Sequence, residues 1–142
     1  MRSNSSVINV YKKNKIKSEV VTQLLYGDTF KKIKKRGSWI KIKNDLDHYK
    51  GFIKNKKFPS NQKDTHKICK LYANLYFKPN LKSKIKKKIS FGSKVKIIEK
   101  KGNFCKFDNL WIKKNNLKKI NYKTKDIFKN INQFINTKYK WG

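Results

Sequence analysis

Few side chains in this sequence could act as a nucleophile, a base or a metal ligand. Two cysteines, Cys69 and Cys105, and two histidines, His48 and His66, stand singly among 142 residues. A thiol nucleophile needs a base within hydrogen-bond reach and a third group that orients the base. His66 and Cys69 lie three positions apart, so on a strand they point to opposite faces. The spacing predicts neither a catalytic dyad nor a zinc site, and no metal or cofactor is implied.

Positive charge is the dominant property of the chain, with 39 Lys+Arg against 8 Asp+Glu and a formal net charge of +31. Only Arg2 and Arg36 are arginines, whereas proteins that recognise phosphate favour the two-pronged arginine side chain. A+T-rich codons would produce the same excess of Lys, Asn and Ile, which favours a solvated lysine surface. The field still attracts polyanions, so a basic β-barrel module that binds nucleic acid is the alternative function.

The N-terminus, MRSNSSVINV, has no apolar run long enough for the core of a signal peptide. No stretch approaches the roughly 20 apolar residues of a membrane span. We therefore expect a cytoplasmic protein without a membrane span. In that compartment Cys69 and Cys105 should be reduced thiols.

An internal repeat organises most of the sequence. NVYKKNKIKSEV begins at Asn9 and NLYFKPNLKSKI begins at Asn74, which gives an offset of 65 residues. The offset also pairs glycines and apolar positions, namely Gly27 with Gly92, Gly37 with Gly102, Trp39 with Phe104, Ile40 with Cys105 and Ile42 with Phe107. Beyond these positions the second copy is six residues shorter, because GFIKN at Gly51 corresponds to LWIKK at Leu110.

Each copy contains short strands separated by turn residues. TFKKIKK, Arg36-Gly37 and SWIKIKN predict a hairpin, because glycine supplies the positive φ of a tight turn and the flanking segments alternate. Five such strands in each copy favour an SH3-like barrel. Cys105 aligns with Ile40, so we expect it to fill core volume. Trp39 and Phe104 lie on the opposite strand face, where they would line a peptide groove or pack between domains.

The predicted fold class is all-β, with two tandem SH3-like barrels and one short C-terminal α-helix. We assign residues 1–58 to the first barrel, 59–66 to a polar linker after Pro59, and 67–121 to the second barrel. Residues 122–142 predict an amphipathic helix, because apolar side chains recur there at three- and four-residue spacing. These side chains are Ile127, Phe128, Ile131, Phe134 and Ile135.

Three segments resemble the NlpC family of cell-wall cysteine peptidases, close to the dipeptidyl-peptidase VI branch. SEVVTQLLYGDTF, GSWIKIK and YKGFI are similar to the first bacterial SH3-type domain of these proteins, and LYANLYFKPNLKSKI onward to the second. The C-terminal DIFKNINQFINTKYKWG resembles the first catalytic-domain helix and its PYxWGG entrance motif, with Lys138 in place of the proline. Tyr139 and Trp141 fall in that motif and are weak candidates for substrate contacts.

The resemblance implies hydrolysis of the bond between γ-D-glutamate and a diamino acid in murein peptides, by a Cys-His mechanism. The family's nucleophilic Cys lies in a DCSG motif that these 142 residues lack, as does its His partner. We therefore expect a chain that is inactive alone, with its catalytic part truncated or separately encoded. Its role would be cytosolic recycling of murein fragments.

The resemblance also implies a binding site in the first domain. A Glu and a Tyr there hold the free amine of the substrate's N-terminal L-Ala, and by motif position they correspond to Glu19 and Tyr49. A carboxylate pairs naturally with an ammonium group. In the repeat Glu19 aligns with Lys84, so only the first copy keeps the acid. The segment NDLDHYKGF, which contains Tyr49, otherwise resembles a polar hairpin loop.

Overall fold

The structure is a computed structural model that describes residues 1–124 and 128–137. The chain divides into two compact units, the first spanning Met1–Gln62 and the second beginning at Lys63. Regular structure in the described residues consists of β-strands and two short 3₁₀ helices, which confirms the predicted all-β class. No helix in this part of the chain is both long enough and apolar enough to cross a membrane.

The strands are short, as the closely spaced turn residues predict. The first unit contains β1 (Val7–Tyr11), β2 (Val20–Leu25), β3 (Phe30–Arg36), β4 (Trp39–Asn44) and β5 (Lys50–Lys54). The second contains β6 (His66–Ile68), β7 (Tyr72–Tyr76), β8 (Ile85–Ser90), β9 (Lys94–Val95), β10 (Glu99–Lys101), β11 (Phe104–Phe107), β12 (Leu110–Lys113) and β13 (Leu117–Lys119). The 3₁₀ helices cover Lys114–Asn116 and Phe128–Phe134.

The first unit is built on a five-stranded antiparallel sheet in the order β2-β1-β5-β4-β3. The β3–β4 hairpin closes at Gly37, where φ is +55° and a Cβ would meet nothing within 4 Å. Glycine is therefore required for the backbone angle and not for space. Alternate residues of β4, including Ile40 and Ile42, point into a core completed by Leu24, Phe30 and Ile53.

The second unit contains a five-stranded sheet, β10-β11-β12-β7-β8, and a three-stranded sheet, β13-β6-β9. Its β10–β11 hairpin turns at Gly102, where φ is +53°. Cys105 is buried on β11, where it fills core volume as the alignment with Ile40 predicts. Ile112 from β12 and Leu75 from β7 are fully buried in the same unit.

The predicted closure of each sheet into a barrel is not observed. Within the described residues β2 and β3 are the free edges of the first sheet, and β8 and β10 are those of the second five-stranded sheet. No strand ladder joins the two edge strands of either sheet within the described residues, and the neighbouring strands β1 and β5 share a single residue pair, Tyr11 with Phe52. The sheets are therefore open.

The predicted C-terminal α-helix is also not found. Residues 128–134 form a 3₁₀ helix, and Asn136 ends the segment in the left-handed region with φ of +65°. Asn residues compete for backbone hydrogen bonds, and a short isolated helix is only marginally stable. One ring anchors the segment, because Phe134 packs edge-on against Phe91 at 5.2 Å between centroids. Residues 125–127 and 138–142, which also belong to the predicted segment 122–142, lie outside the described residues.

The prediction that Trp39 and Phe104 are surface aromatics is wrong. Their exposed fractions are 6 % and 8 %, and each packs inside its own unit. Tyr11 meets Trp39 edge-on at 5.7 Å between centroids, and Tyr76 meets Phe104 in the same way at 5.8 Å. These ring contacts cover Trp39 and Phe104 on the strand face opposite Ile40 and Cys105, whereas a period of two predicts only which residues share a face.

Candidate functional site

Glu19 lies at the end of the turn that joins β1 to β2. The backbone N–H of Lys12 donates to the Glu19 carbonyl at 2.9 Å, and the Lys13 N–H donates to the Ser18 hydroxyl at 2.9 Å. These bonds fix the backbone on both sides of the turn. The Glu19 side chain is 59 % exposed, so its carboxylate is held at the surface by an ordered turn.

The Glu19 carboxylate already binds an ammonium group. Lys12 Nζ donates to Glu19 Oε2 at 2.8 Å, and this contact raises the pKa of Lys12. An exposed ion pair of this kind contributes little to stability, since water solvates both groups well when they separate. A second primary ammonium could therefore replace Lys12 at small cost.

Tyr49 lies beside β2, the strand that directly follows Glu19. One oxygen of Asp47 accepts the Thr22 hydroxyl of β2 at 2.7 Å, and the other accepts the Tyr49 backbone N–H at 3.0 Å. The Asp47 carboxylate thus ties the β4–β5 loop to β2. The phenol of Tyr49 is 55 % exposed, so its ring and hydroxyl are available to a ligand.

The loop that carries Tyr49 is seated by a close backbone approach at Gly51. A Cβ at this position would lie 2.6 Å from Val10 Cγ1 and 2.7 Å from the Tyr11 carbonyl oxygen. It would also lie 3.1 Å from Val21 Cγ2, so β5 approaches the β1 backbone closely and leaves no room for a side chain. Only glycine fits here, and the requirement is steric.

Asp47 is the functional candidate that sequence reasoning missed. From the sequence Asp47 is only part of a polar hairpin loop. An Asp side chain often accepts a hydrogen bond from the backbone N–H two residues later, which is an Asx turn, and Asp47 accepts from Tyr49 in this way. That pattern was the available signal for a role in positioning Tyr49. The neighbouring His48 has φ of +61°, which makes this a tightly turned loop.

The sulfur and imidazole groups do not form a catalytic arrangement. Both cysteines are free, and Cys69 Sγ donates to the Asn115 carbonyl at 3.6 Å. His66 Nδ1 lies 2.8 Å from the Thr65 hydroxyl, and no hydrogen bond joins the His66 ring to either described sulfur. Burial raises the pKa of Cys105, which favours the unreactive thiol over the thiolate.

Two further predictions concern metal ions and the C-terminal residues. Among residues 1–124 and 128–137 no three His, Cys, Asp or Glu side chains come together as a metal site requires. Tyr139 and Trp141, the weak candidates in the entrance motif, lie outside the described residues. The structure therefore leaves their predicted role untested.

Comparison with known proteins identifies the fold of this site. Residues 5–58 match the family model of the bacterial SH3 domain. The chain is also similar in structure to an NlpC/P60 family protein from Bacillus cereus ATCC 10987, with a TM-score of 0.63 and 19 % sequence identity. That similarity covers 80 % of this chain and 46 % of the other, so the chain spans less than half of its structural relative. A search of curated proteins finds no match.

Proposed function

We propose that this chain, whose residues 5–58 are a bacterial SH3 domain, is the recognition part of an NlpC-type protein that acts on cell-wall peptides. The predicted resemblance to an SH3-type domain of an NlpC-type protein is confirmed. Such a domain targets its protein to cell-wall material. The ligand we assign is a murein peptide with a free N-terminal L-Ala, and its cleavage belongs to an NlpC-type catalytic domain. A role in cytosolic recycling stays a prediction.

The observation that carries the proposal is the Glu19–Lys12 pair. A carboxylate that holds one ammonium at 2.8 Å offers the geometry that the N-terminal ammonium of a peptide needs. Tyr49 lies on the loop that Asp47 ties to Thr22, three residues after Glu19 in the chain. Its phenol would close the site beyond the first residue and exclude a longer N-terminal extension.

The proposal is tested by measuring affinity for the tripeptide L-Ala-γ-D-Glu-diamino acid by calorimetry with the full chain. We expect the free peptide to bind and the N-acetylated peptide to bind about tenfold more weakly or worse, since one charge-assisted hydrogen bond contributes ~1.5–3 kcal/mol. Glu19→Gln should reduce affinity for the free peptide by a similar factor and leave the weak binding of the acetylated peptide unchanged.

The second unit offers a matched control in Glu99. Its Oε2 accepts a hydrogen bond from Lys106 Nζ at 3.1 Å and the residue is exposed, so Glu99→Gln removes an equivalent surface ion pair. We expect peptide affinity to be unchanged in this variant. Equal losses in both variants, or equal binding of the free and acetylated peptides, would show that Glu19 does not recognise the amine.

A further inference from the structure

A cleft of about 910 Å³ opens within the second unit, and no residue of the proposed amine site belongs to its lining. The β10–β11 hairpin contributes Phe104 to its wall, the β7–β8 connection contributes Leu81, and the segment after β12 runs along it to Tyr122. Its volume falls in the usual range of sites for small molecules. We call it the lysine cleft, after Lys100, Lys113, Lys114, Lys118 and Lys119, which all line it.

The charge of the lysine cleft is of one sign. No Asp or Glu belongs to its lining. The carboxylate of Glu99, next to Lys100 in sequence, is engaged by Lys106 at 3.1 Å. Within the described residues, none of the five lining lysines has a carboxylate partner. Five ammonium groups around one concavity repel one another and together attract an anion.

Two neutral groups on the wall respond to this positive potential. The pKa of His66 is lowered first by burial and then by the ammonium groups of Lys100 and Lys119. At Cys105 burial raises the pKa, while Lys100 and Lys114 act in the opposite direction. The lysines thus favour neutral imidazole over imidazolium at His66 and thiolate over thiol at Cys105. Their positive potential therefore reaches these two residues of the cleft wall.

An ordered aromatic ring stands at the end of the cleft. The Tyr122 backbone is fixed by Lys67 Nζ, which donates to its carbonyl at 2.7 Å, and by its own N–H, which donates to the Lys119 carbonyl at 3.0 Å. Lys118 Nζ lies 4.9 Å from the ring centroid, and 45 % of Tyr122 is exposed. A flat ligand ring could stack on the exposed part of this side chain while its anionic groups reach the lysines.

We propose that the lysine cleft binds a compact organic phosphate that carries a flat ring and at least two negative charges. Lysine binds phosphate as a point charge, so several lysines can share one diphosphate without the geometry that arginine demands. The volume of the cleft, about 910 Å³, suits a small molecule and favours a compact ligand over a polymer. This assignment does not rest on the proposed function, since every residue it uses belongs to the second unit.

The test uses ADP as the probe, with adenosine and pyrophosphate as its two halves, titrated into the full chain and followed by ¹⁵N–¹H NMR. ADP should bind about tenfold more tightly than either half, since stacking on an aromatic ring contributes ~1–3 kcal/mol. Tyr122→Leu should remove that advantage.

Lys118→Gln/Lys119→Gln should weaken ADP binding by about tenfold, because each lost phosphate contact removes a charge-assisted interaction. Bound ADP should also raise the pKa of His66, as read from its imidazole resonances.

The matched control is Lys84→Gln/Lys86→Gln, which removes the same charge from exposed positions of the second unit outside the cleft. This variant should keep ADP affinity within a factor of about two, because neither side chain lines the cleft and water and salt screen exposed charges. If both double variants weakened ADP binding equally, binding would depend on the overall positive charge of the protein and not on the cleft, which would overturn the proposal. So would binding of duplex DNA without binding of ADP, or a His66 pKa that ADP leaves unchanged.

Discussion

The two units of this protein build the same sheet and differ in the loops that the sheet carries. The order β2-β1-β5-β4-β3 in the first unit is matched by β8-β7-β12-β11-β10 in the second. The turn glycines agree as well, since Gly37 and Gly102 have φ of +55° and +53°. This agreement at the 65-residue offset supports the proposal that the units derive from one duplicated domain.

The difference lies at the connection between the last two strands of each sheet. In the first unit a loop from residue 45 to residue 49 carries Asp47 and Tyr49. In the second, β11 and β12 are joined by Asp108 and Asn109 alone, with φ of +45° and +61°, the signature of a tight two-residue hairpin. The shorter hairpin has no room for a counterpart of Tyr49. The comparison teaches that units with the same order of five strands can carry different loops, so the proposed amine site is a property of one loop and not of the shared sheet.

The largest effects should come from corresponding core positions of the two units, where we expect equal losses of stability. Ile53 and Ile112 occupy corresponding positions and are both 0 % exposed. Ile53→Ala and Ile112→Ala should each lower the free energy of unfolding by ~2–5 kcal/mol through lost apolar contact and a residual cavity. Chemical denaturation measures the loss, and amide hydrogen exchange locates it. Loss of protection in both units from either single change would contradict two separate cores.

A smaller effect distinguishes the units at one position. Gly51→Ala should cost ~1–3 kcal/mol, because its Cβ would lie 2.7 Å from the Tyr11 carbonyl oxygen. The corresponding position in the second unit is Leu110, which is buried at 8 % exposure, so Leu110→Gly should destabilise by loss of packing instead. If Gly51→Ala left the melting temperature unchanged, the close approach of β5 to the β1 backbone would be wrong.

An acid-dependent effect on stability is expected at His66 of the second unit. His66 has a lowered pKa in the folded state, whereas in the unfolded chain it titrates near its ordinary 6.5. Below about pH 6.5 the unfolded state therefore binds more protons, so acidification lowers the free energy of unfolding until the pH is below the folded pKa. His66→Gln should reduce the loss of stability between about pH 7 and 5, measured by urea denaturation. An unchanged slope in His66→Gln would refute the assignment.

The smallest effect on stability should come from breaking either exposed ion pair, Lys12–Glu19 or Lys106–Glu99. Glu19→Gln and Glu99→Gln each break one solvated contact with a lysine, so neither should measurably shift thermal unfolding. Only Glu19→Gln should affect peptide binding. A clear loss of stability in Glu19→Gln would mean that the ion pair holds the β1–β2 turn together, which would weaken its assignment to ligand recognition.

The strands and their turns could be predicted from the sequence because their signals are local. Glycine at a positive φ and alternation along a strand are dictated by backbone sterics, so Gly37 and Ile40 could be placed from the sequence alone. The burial of Trp39 could not, because it depends on contact with Tyr11 of another strand. The 3₁₀ geometry of residues 128–134 depends on a balance between weak helix propensity and a few tertiary contacts. The role of Asp47 depends on Thr22, 25 residues away in sequence, which no local pattern reveals.

The most direct test of the account is NMR mapping of the free-amine tripeptide on the ¹⁵N-labelled full chain. The account predicts saturable shifts at Glu19, Asp47 and Tyr49 that vanish when the peptide amine is acetylated, with the lysine cleft unperturbed. Shifts confined to the second unit, or shifts of equal size with the acetylated peptide, would contradict recognition of the amine by the first unit.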